Sequence, residues 1–199
     1  PLHGGAFAVM GDRIVAATLL SAAAAAGGRV ELSGVDRDHL APVLEVFRQA
    51  GCRVDTGETF AALSRDPDRP LLAVPTVRTA PYPGFPTDAQ APVMAALCTA
   101  RGSTVFVENL FDSRFRHVEE LRRMGADITT EGRVAVVRGV ERLRGAHVAA
   151  RDLRGGGALA VAALAAEGES VLTGVDHIDR GYEALEAMLT RLGGRARRG

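Results

Sequence analysis

Lysine and tryptophan are absent from the 199 residues, and the 24 basic side chains are all arginine. The chain therefore offers no lysine for Schiff-base or general-base chemistry, and a bound anion must be held by arginine or by backbone amides. The 24 acidic side chains bring the formal net charge to zero. Proteins that bind nucleic acids or anionic membranes usually carry an excess of basic residues, so neither partner is expected for this chain.

Cysteine is scarce and lies outside any metal-binding or redox motif. Cys52 and Cys98 stand far apart, with no C-x-x-C spacing and no histidine at metal-ligand spacing. Two reduced, buried thiols are therefore favoured over a disulfide or a reactive thiol. The sequence also contains no phosphate-binding loop, dinucleotide fingerprint, nucleophile elbow or metal-ligand cluster, so no metal and no cofactor is predicted.

Long hydrophobic runs are missing as well. The longest extends from Ile14 to Ala26, consists mainly of alanine and is interrupted by Thr18 and Ser21. A membrane span requires roughly 18 or more apolar residues, and no basic stretch precedes this run as it would in a signal peptide. We therefore expect a cytoplasmic protein, whose length allows one or two domains.

Three segments of the chain repeat one plan. Each opens with an aspartate, continues as an alanine-rich apolar helix, and reaches a glycine followed by a short β-type run. An amphipathic helix, a second glycine and another strand complete each segment. The segments cover about residues 12–74, 88–142 and 152–198, open at Asp12, Asp88 and Asp152, and place the second glycine at Gly51, Gly125 and Gly193.

The apolar pattern within each repeat predicts how its two helices pack. The first helix is apolar on nearly every side and is expected to be buried. The second is one-sided, because Val118, Leu121 and Met124 of the middle repeat are apolar. The polar positions expected to face water there are Glu119, Glu120, Arg122 and Arg123. The second glycine is predicted to end that helix in a left-handed conformation before a strand, which in the last repeat is GRARR.

Three such units around a pseudo-threefold axis predict an α/β fold with the apolar helices inside and the sheets outside. Composition alone leaves an open sheet with helices on one side as the alternative. No linker divides the chain, so residues 1–199 are expected to form a single domain.

Asp88 lies in the proline-rich segment TAPYPGFPTDAQ, residues 79–90. Its simplest interpretation is a helix cap, which the repeat supports because Asp12 and Asp152 hold the same place. The alternative is a carboxylate held for chemistry, since three prolines fix the path of the loop.

Two arginines of the third repeat are candidates for binding an anion. Arg154 belongs to DLRGGG and Arg180 to HIDRGYE, and both are predicted at helix N-termini, where backbone amides favour negative charge. The alternatives are a solvated arginine beside a flexible turn, and a capping network for the last helix. Leu110, in the turn NLFDSRF, is either a core residue or part of a platform for a ligand ring. No role is assigned to the isolated histidines His3, His39, His117 and His147.

Four motifs together resemble one known family. FPTDAQ, NLFDSRFRHVEELRRMGA, GVERLRGAHVAARDLR and HIDRGYE are similar to the UDP-N-acetylglucosamine 1-carboxyvinyltransferases, which are enolpyruvyl transferases. The similarity runs from about Asp12 to the end of the chain and is closer than that to the enolpyruvylshikimate-phosphate synthases. It implies an inside-out α/β barrel of three repeated units, equivalent to the C-terminal domain of that family.

The resemblance also implies roles for four residues. Asp88 would contact the attacking sugar hydroxyl as its base, and Leu110 would lie against the UDP-sugar. Arg154 and Arg180 would hold the phosphoenolpyruvate anion and the charge of the tetrahedral intermediate. The family's N-terminal half, with its loop cysteine and substrate-binding lysine, has no counterpart here, so the chain alone is expected to be inactive. Small residues of the family are replaced here by Gly155, Gly156 and Gly157, which is expected to loosen the start of that helix.

The function implied is transfer of the enolpyruvyl group from phosphoenolpyruvate to the sugar 3-hydroxyl of UDP-N-acetylglucosamine, with phosphate release. This is the first committed step of peptidoglycan synthesis. Two alternatives remain, a non-catalytic binding or structural module of the same fold and an enolpyruvyl transferase with another acceptor.

Overall fold

Seven helices and nine strands are distributed along residues 2–199, the part of the chain that the computed structural model describes. The helices are α1 (Arg13–Ala26), α2 (Arg37–Gln49), α3 (Thr87–Leu97), α4 (Val118–Arg123), α5 (Leu153–Ala165), α6 (Asp176–Asp179) and α7 (Leu185–Arg191). The strands are β1 (Gly28–Ser33), β2 (Arg53–Thr56), β3 (Phe60–Arg65), β4 (Thr76–Arg78), β5 (Ser103–Val107), β6 (Asp127–Glu131), β7 (Val134–Arg138), β8 (His147–Ala149) and β9 (Val171–Thr173).

The centre of the molecule is a bundle of the three alanine-rich helices, α1, α3 and α5, each of which packs against the other two. Small side chains such as Ala17, Ala96 and Ala158 are fully buried where these helices meet. A helix that is apolar on all sides gains most when it is covered on all sides, which is the environment of α1, α3 and α5. The predicted burial of the first helix of each repeat is confirmed.

Three sheets surround this bundle. The first is antiparallel with strand order β1-β3-β2, and the second has the order β4-β5-β7-β6 with β4 parallel to β5. The third consists of β8 and β9 in parallel. Within β5, Thr104 and Phe106 are buried while their neighbours are more exposed, so one face of the sheet covers the core. The α/β fold of three repeated units, with helices inside and sheets outside, is confirmed.

The helix endings agree with the sequence, but the last strand does not. Gly51, Gly125 and Gly193 have φ values of +91°, +92° and +94°, the left-handed conformation predicted for them. The GRARR segment after Gly193 forms no strand. It has no apolar alternation to bury, and its last two arginines instead form ion pairs, Arg197 with Glu169 and Arg198 with Asp179.

Glu120 is a second departure from the predicted pattern, since only 1% of it is exposed rather than facing water. Its carboxylate accepts a hydrogen bond from the backbone N–H of Ala149 at 3.3 Å and from Arg151 at 3.4 Å. A buried carboxylate is stable when it is paired and hydrogen-bonded, and here the partners come from a later segment of the chain. Glu120 thereby ties α4 to the residues that lead into α5.

Both cysteines are free and buried, as expected. Burial raises the pKa of the Cys52 thiol to about 11 and that of Cys98 to about 12. No helix within residues 2–199 is both long enough and apolar enough to cross a membrane.

Candidate active site

Asp88 lies one residue inside α3 and does not cap it. Helix α3 begins after Pro86 and has no side-chain hydrogen bond at its N-cap. By contrast, Asp12 accepts hydrogen bonds from the N–H groups of the α1 first turn, and Asp152 accepts one from Gly155 at 2.7 Å. The interpretation of Asp88 as a helix cap is therefore wrong, because its carboxylate has other partners than the backbone N–H groups that Asp12 and Asp152 bind.

Those partners are two arginines from different repeats. Arg114 donates a hydrogen bond to Oδ1 of Asp88, and Nη2 of Arg154 lies 3.2 Å from Oδ2. Side-chain exposure is 37% for Asp88, 28% for Arg114 and 18% for Arg154, so the carboxylate is the most accessible of the three. Each carboxylate oxygen keeps a second lone pair, which leaves Asp88 able to accept a further hydrogen bond from a ligand.

Arg154 is the second residue of α5 and also retains free hydrogen-bonding capacity. Its guanidinium lies over the ring of Tyr182, with 5.9 Å between Cζ and the ring centroid. Its Nη1 atom is buried and has no hydrogen-bond partner within residues 2–199. A cation with an unused N–H beside a helix N-terminus is suited to bind an anion, and the anion site at Arg154 stays a prediction.

The three glycines after Arg154 permit close packing rather than loosening the helix, so that expectation is wrong. Helix α5 is regular from Leu153, with Asp152 as its cap. A Cβ atom added to Gly156 would lie 2.5 Å from Cγ1 of Ile178, and one added to Gly157 would lie 2.8 Å from the Tyr182 hydroxyl oxygen. Residues 176–182 therefore pack directly on the backbone of α5.

Arg180 stands apart from the ion pairs of Asp88. Only the first residues of its HIDRGYE motif lie in the short helix α6, and Ile178 and Tyr182 of this motif are buried. Arg180 follows the C-terminal end of α6, so its predicted place at a helix N-terminus is wrong. Its side chain is exposed and makes no ion pair with another residue of the described chain.

The turn after β5 combines an exposed apolar surface with a buried carboxylate. Leu110 is half-buried and Phe111 is 55% exposed, with the Arg114 guanidinium 5.3 Å from the Phe111 ring centroid. Glu108, only 1% exposed, accepts hydrogen bonds from the N–H groups of both residues, at 2.8 Å and 3.1 Å. Sequence reasoning missed Glu108, although a charged residue continuing the apolar strand STVFV was a usable signal.

An open cleft of about 570 Å³ adjoins Arg154. It is lined by residues 9–14 together with His39, Tyr82 and Arg154. The Tyr82 ring contacts His39 edge to face at 5.8 Å and lies 5.5 Å from the Arg13 guanidinium carbon. None of Arg13, His39 and Tyr82 was singled out from the sequence, since each is isolated in its own segment.

His117 is a buried, neutral imidazole behind this site. Burial lowers its pKa to about 4, and the Arg114 charge acts in the same direction. The Asp152 charge and a hydrogen bond to the Arg114 backbone oppose that shift. No group of three or more histidine, cysteine, aspartate or glutamate side chains within residues 2–199 is arranged to hold a metal ion.

Comparison with solved structures identifies the fold as that of the enolpyruvyl transferases. The enolpyruvyl transferase NikO from Streptomyces tendae superposes with a TM-score of 0.83 at 28% identity, covering 95% of this chain and 44% of that one. EPSP synthase from Acinetobacter baumannii shares the fold with a TM-score of 0.71 at 21% identity, over 94% of this chain and 46% of that one.

The family model of EPSP synthase (3-phosphoshikimate 1-carboxyvinyltransferase) matches residues 1–189, and the chain belongs to this family. UDP-N-acetylglucosamine 1-carboxyvinyltransferase 2 of Caldanaerobacter subterraneus subsp. tengcongensis is 46% identical over 192 residues, which are 96% of this chain and 46% of that protein. UDP-N-acetylglucosamine 1-carboxyvinyltransferase of Novosphingobium aromaticivorans is 49% identical over 194 residues, 96% of this chain and 44% of that protein. The chain thus spans slightly less than half the length of these relatives, and the predicted membership in the enolpyruvyl transferases is confirmed.

Proposed function

We propose that the chain is one half of a UDP-N-acetylglucosamine 1-carboxyvinyltransferase. It would transfer the enolpyruvyl group of phosphoenolpyruvate to the 3-hydroxyl of the sugar, with release of phosphate. The observation that carries this proposal is Asp88, a part-exposed carboxylate held between Arg114 and Arg154. The names of the two relatives with 46% and 49% identity support the choice of acceptor.

In this mechanism Asp88 acts as the general base. Its free lone pairs accept the proton of the sugar hydroxyl as the sugar oxygen bonds to C2 of phosphoenolpyruvate. Arg114 and Arg154 hold the two carboxylate oxygens, so the base keeps its orientation without reorganisation during the reaction. As the oxygen–C2 bond forms, C3 of phosphoenolpyruvate takes up a proton from solvent, which gives the tetrahedral intermediate. The bond between C2 and the phosphate oxygen then breaks while a proton leaves C3, so the C2–C3 double bond is restored and phosphate is released.

We propose that arginine side chains bind phosphoenolpyruvate, the anionic donor substrate. Arg154 offers the unpaired, buried Nη1 and the exposed Arg180 offers a guanidinium without an ion-pair partner in the described chain. Guanidinium groups bind carboxylate and phosphate oxygens through pairs of parallel hydrogen bonds. Leu110 is proposed to lie against the UDP-sugar, in a turn that also exposes the Phe111 ring.

A second half of the enzyme is part of this proposal, since the chain covers less than half of each relative. We expect no turnover by the chain alone, and turnover when the half of the Caldanaerobacter relative that this chain does not match, expected to be its N-terminal half, is added. The reaction would be the first committed step of peptidoglycan synthesis and would take place in the cytoplasm.

Calorimetry with UDP-N-acetylglucosamine and phosphoenolpyruvate, followed by a phosphate-release assay, tests the proposal. Binding and turnover with the added half support it, whereas binding without turnover favours a non-catalytic module. Product analysis by NMR identifies the acceptor. If the enolpyruvyl ether forms on a different hydroxyl compound, that compound is the acceptor and UDP-N-acetylglucosamine is not.

A further inference from the structure

Glu108 is a fully buried carboxylate whose four hydrogen bonds join two segments of the Asp88 site. Its Oε1 accepts from the Thr79 hydroxyl at 2.9 Å and from the N–H groups of Leu110 and Phe111. Its Oε2 accepts from the Thr87 hydroxyl at 2.7 Å. Glu108 makes no ion pair within residues 2–199, so only polar, uncharged groups compensate its burial.

The hydroxyl of Thr87 is fixed in direction by the groups on either side of it. The Thr87 hydroxyl donates its proton to Oε2 of Glu108. Its oxygen is then left to accept, and it accepts from Nε of Arg114 at 3.1 Å. Thr79 repeats this arrangement, because it donates to Glu108 and accepts from the N–H of Asn109 at 2.8 Å.

The hydrogen bond from Nε of Arg114 orients the whole guanidinium group, which is planar and rigid. With Nε held by Thr87, the Nη2 atom of Arg114 reaches Oδ1 of Asp88. Thr87 and Asp88 are also consecutive residues in the first turn of α3, so Glu108 acts on both sides of the Arg114–Asp88 pair.

We propose that Glu108 is a positioning residue that acts through Thr87 to hold Arg114 against Asp88. It touches no reacting atom in this account. Its carboxylate sets the direction of one hydroxyl and thereby the geometry of the proposed base. The catalytic part of the inference rests on the proposed function, whereas the positioning of Arg114 does not.

Variants of two residues separate positioning from general structural support. Glu108→Gln keeps the shape of the side chain but replaces one carboxylate oxygen by an NH₂ donor. Oε1 accepts three hydrogen bonds and Oε2 only that of Thr87, so the amide oxygen takes the place of Oε1 and the NH₂ faces Thr87, which loses its acceptor. Thr87→Val removes the hydroxyl at equal size, and Thr87→Ser retains it. Glu120→Gln is the control, since Glu120 is equally buried and is also a hydrogen-bonded carboxylate, with Ala149 and Arg151 as partners, but contacts neither Thr87 nor Asp88.

The first measurement is the Nε–H NMR signal of Arg114 in the 199-residue chain, identified by its loss in Arg114→Lys. We expect Glu108→Gln and Thr87→Val to shift it and to speed its hydrogen exchange about tenfold, the effect of losing one hydrogen bond. Thr87→Ser should retain the wild-type signal, and so should Glu120→Gln. An unchanged signal in Glu108→Gln, or an equal change in Glu120→Gln, overturns the proposal whatever the turnover.

The second measurement is kcat and KM with the N-terminal half added. We expect Glu108→Gln to lower kcat about 10- to 100-fold, as a misplaced catalytic group does, and to change KM for phosphoenolpyruvate less than about twofold. Thr87→Val should lower kcat to a similar extent, and combining it with Glu108→Gln should lower kcat little further, because both act through the same hydrogen bond. Glu120→Gln should keep the wild-type kcat. An altered Arg114 signal with unchanged kcat overturns the catalytic part. An altered signal without any wild-type turnover supports the positioning of Arg114 and instead overturns the proposed function.

Discussion

The buried imidazole of His117 predicts a defined loss of stability in mild acid. Only 4% of His117 is exposed, and burial lowers its pKa from 6.5 to about 4 in the folded chain. In the unfolded chain the same side chain titrates near its ordinary pKa of about 6.5. Between these two values the unfolded state binds one proton more than the folded state, so the free energy of unfolding falls as the pH falls.

The size of the loss follows from the difference between the two pKa values. One pKa unit corresponds to about 1.4 kcal/mol, and integration from pH 7 to pH 4.5 gives about 2.5 kcal/mol for His117 alone. That is a large share of the roughly 5–15 kcal/mol by which proteins of this kind are stable. Above pH 7 the contribution is constant, because both states are then deprotonated.

Urea unfolding at pH 7, 6, 5 and 4.5 measures this effect by comparison with His117→Leu. Leucine fills the site without titrating. The variant loses the hydrogen bond between His117 and the Arg114 backbone, but this cost is the same at each pH from 7 to 4.5, where folded His117 is mostly neutral. Between pH 7 and pH 4.5 the free energy of unfolding should fall by about 2.5 kcal/mol less in the variant than in the wild type. Titration of the carboxylates lowers it in both proteins and cancels in this comparison. His147→Gln, at an exposed histidine, should retain the wild-type dependence. Parallel pH curves for wild type and His117→Leu would refute the reasoning.

Three further predictions concern residues buried in the core. Gly157→Ala should lower the free energy of unfolding by about 1–2 kcal/mol, because its Cβ would meet Tyr182 and overpacking outweighs the gain in helix propensity; a stabilised variant in urea unfolding would contradict this. Tyr182→Phe should lower it by about 1 kcal/mol, since it loses the 2.8 Å hydrogen bond to Thr18, and equal stability would count against that bond. At pH 8 neither Cys52 nor Cys98 should react with a thiol reagent until urea unfolds the chain, because burial raises both pKa values; rapid labelling of the folded protein would be the contrary result.

The repeat and its buried helices could be predicted because their cause lies within each segment. A helix that is apolar on every side, such as α1, must be covered on every side, and the glycine that ends the next helix is legible in the sequence. Packing three such helices together then leaves the sheets outside. The strand predicted for GRARR is wrong because that segment has no apolar face of its own, and only its analogy with the other repeats favours a strand.

The charged residues could not be placed in this way, because their partners are distant in the sequence. Asp88 matches two helix caps by position, yet Arg114 and Arg154 from later segments take its carboxylate. Glu120 falls on the polar face of its helix but is covered by the segment before α5. The resemblance to a family singled out Asp88 and Arg154, while Arg114 and Glu108 emerged only from the three-dimensional contacts.

The rate of phosphate release that depends on UDP-N-acetylglucosamine tests most directly whether Asp88 is the base. The chain is assayed with the N-terminal half of the Caldanaerobacter relative, as wild type, as Asp88→Asn, and as Asp127→Asn, a surface aspartate that is also paired with an arginine. We predict that Asp88→Asn lowers the rate about 10²- to 10⁴-fold, the range for loss of a general base, while calorimetry still detects the bound sugar nucleotide. Asp127→Asn should keep the wild-type rate. An Asp88→Asn variant as active as the wild type would contradict the account.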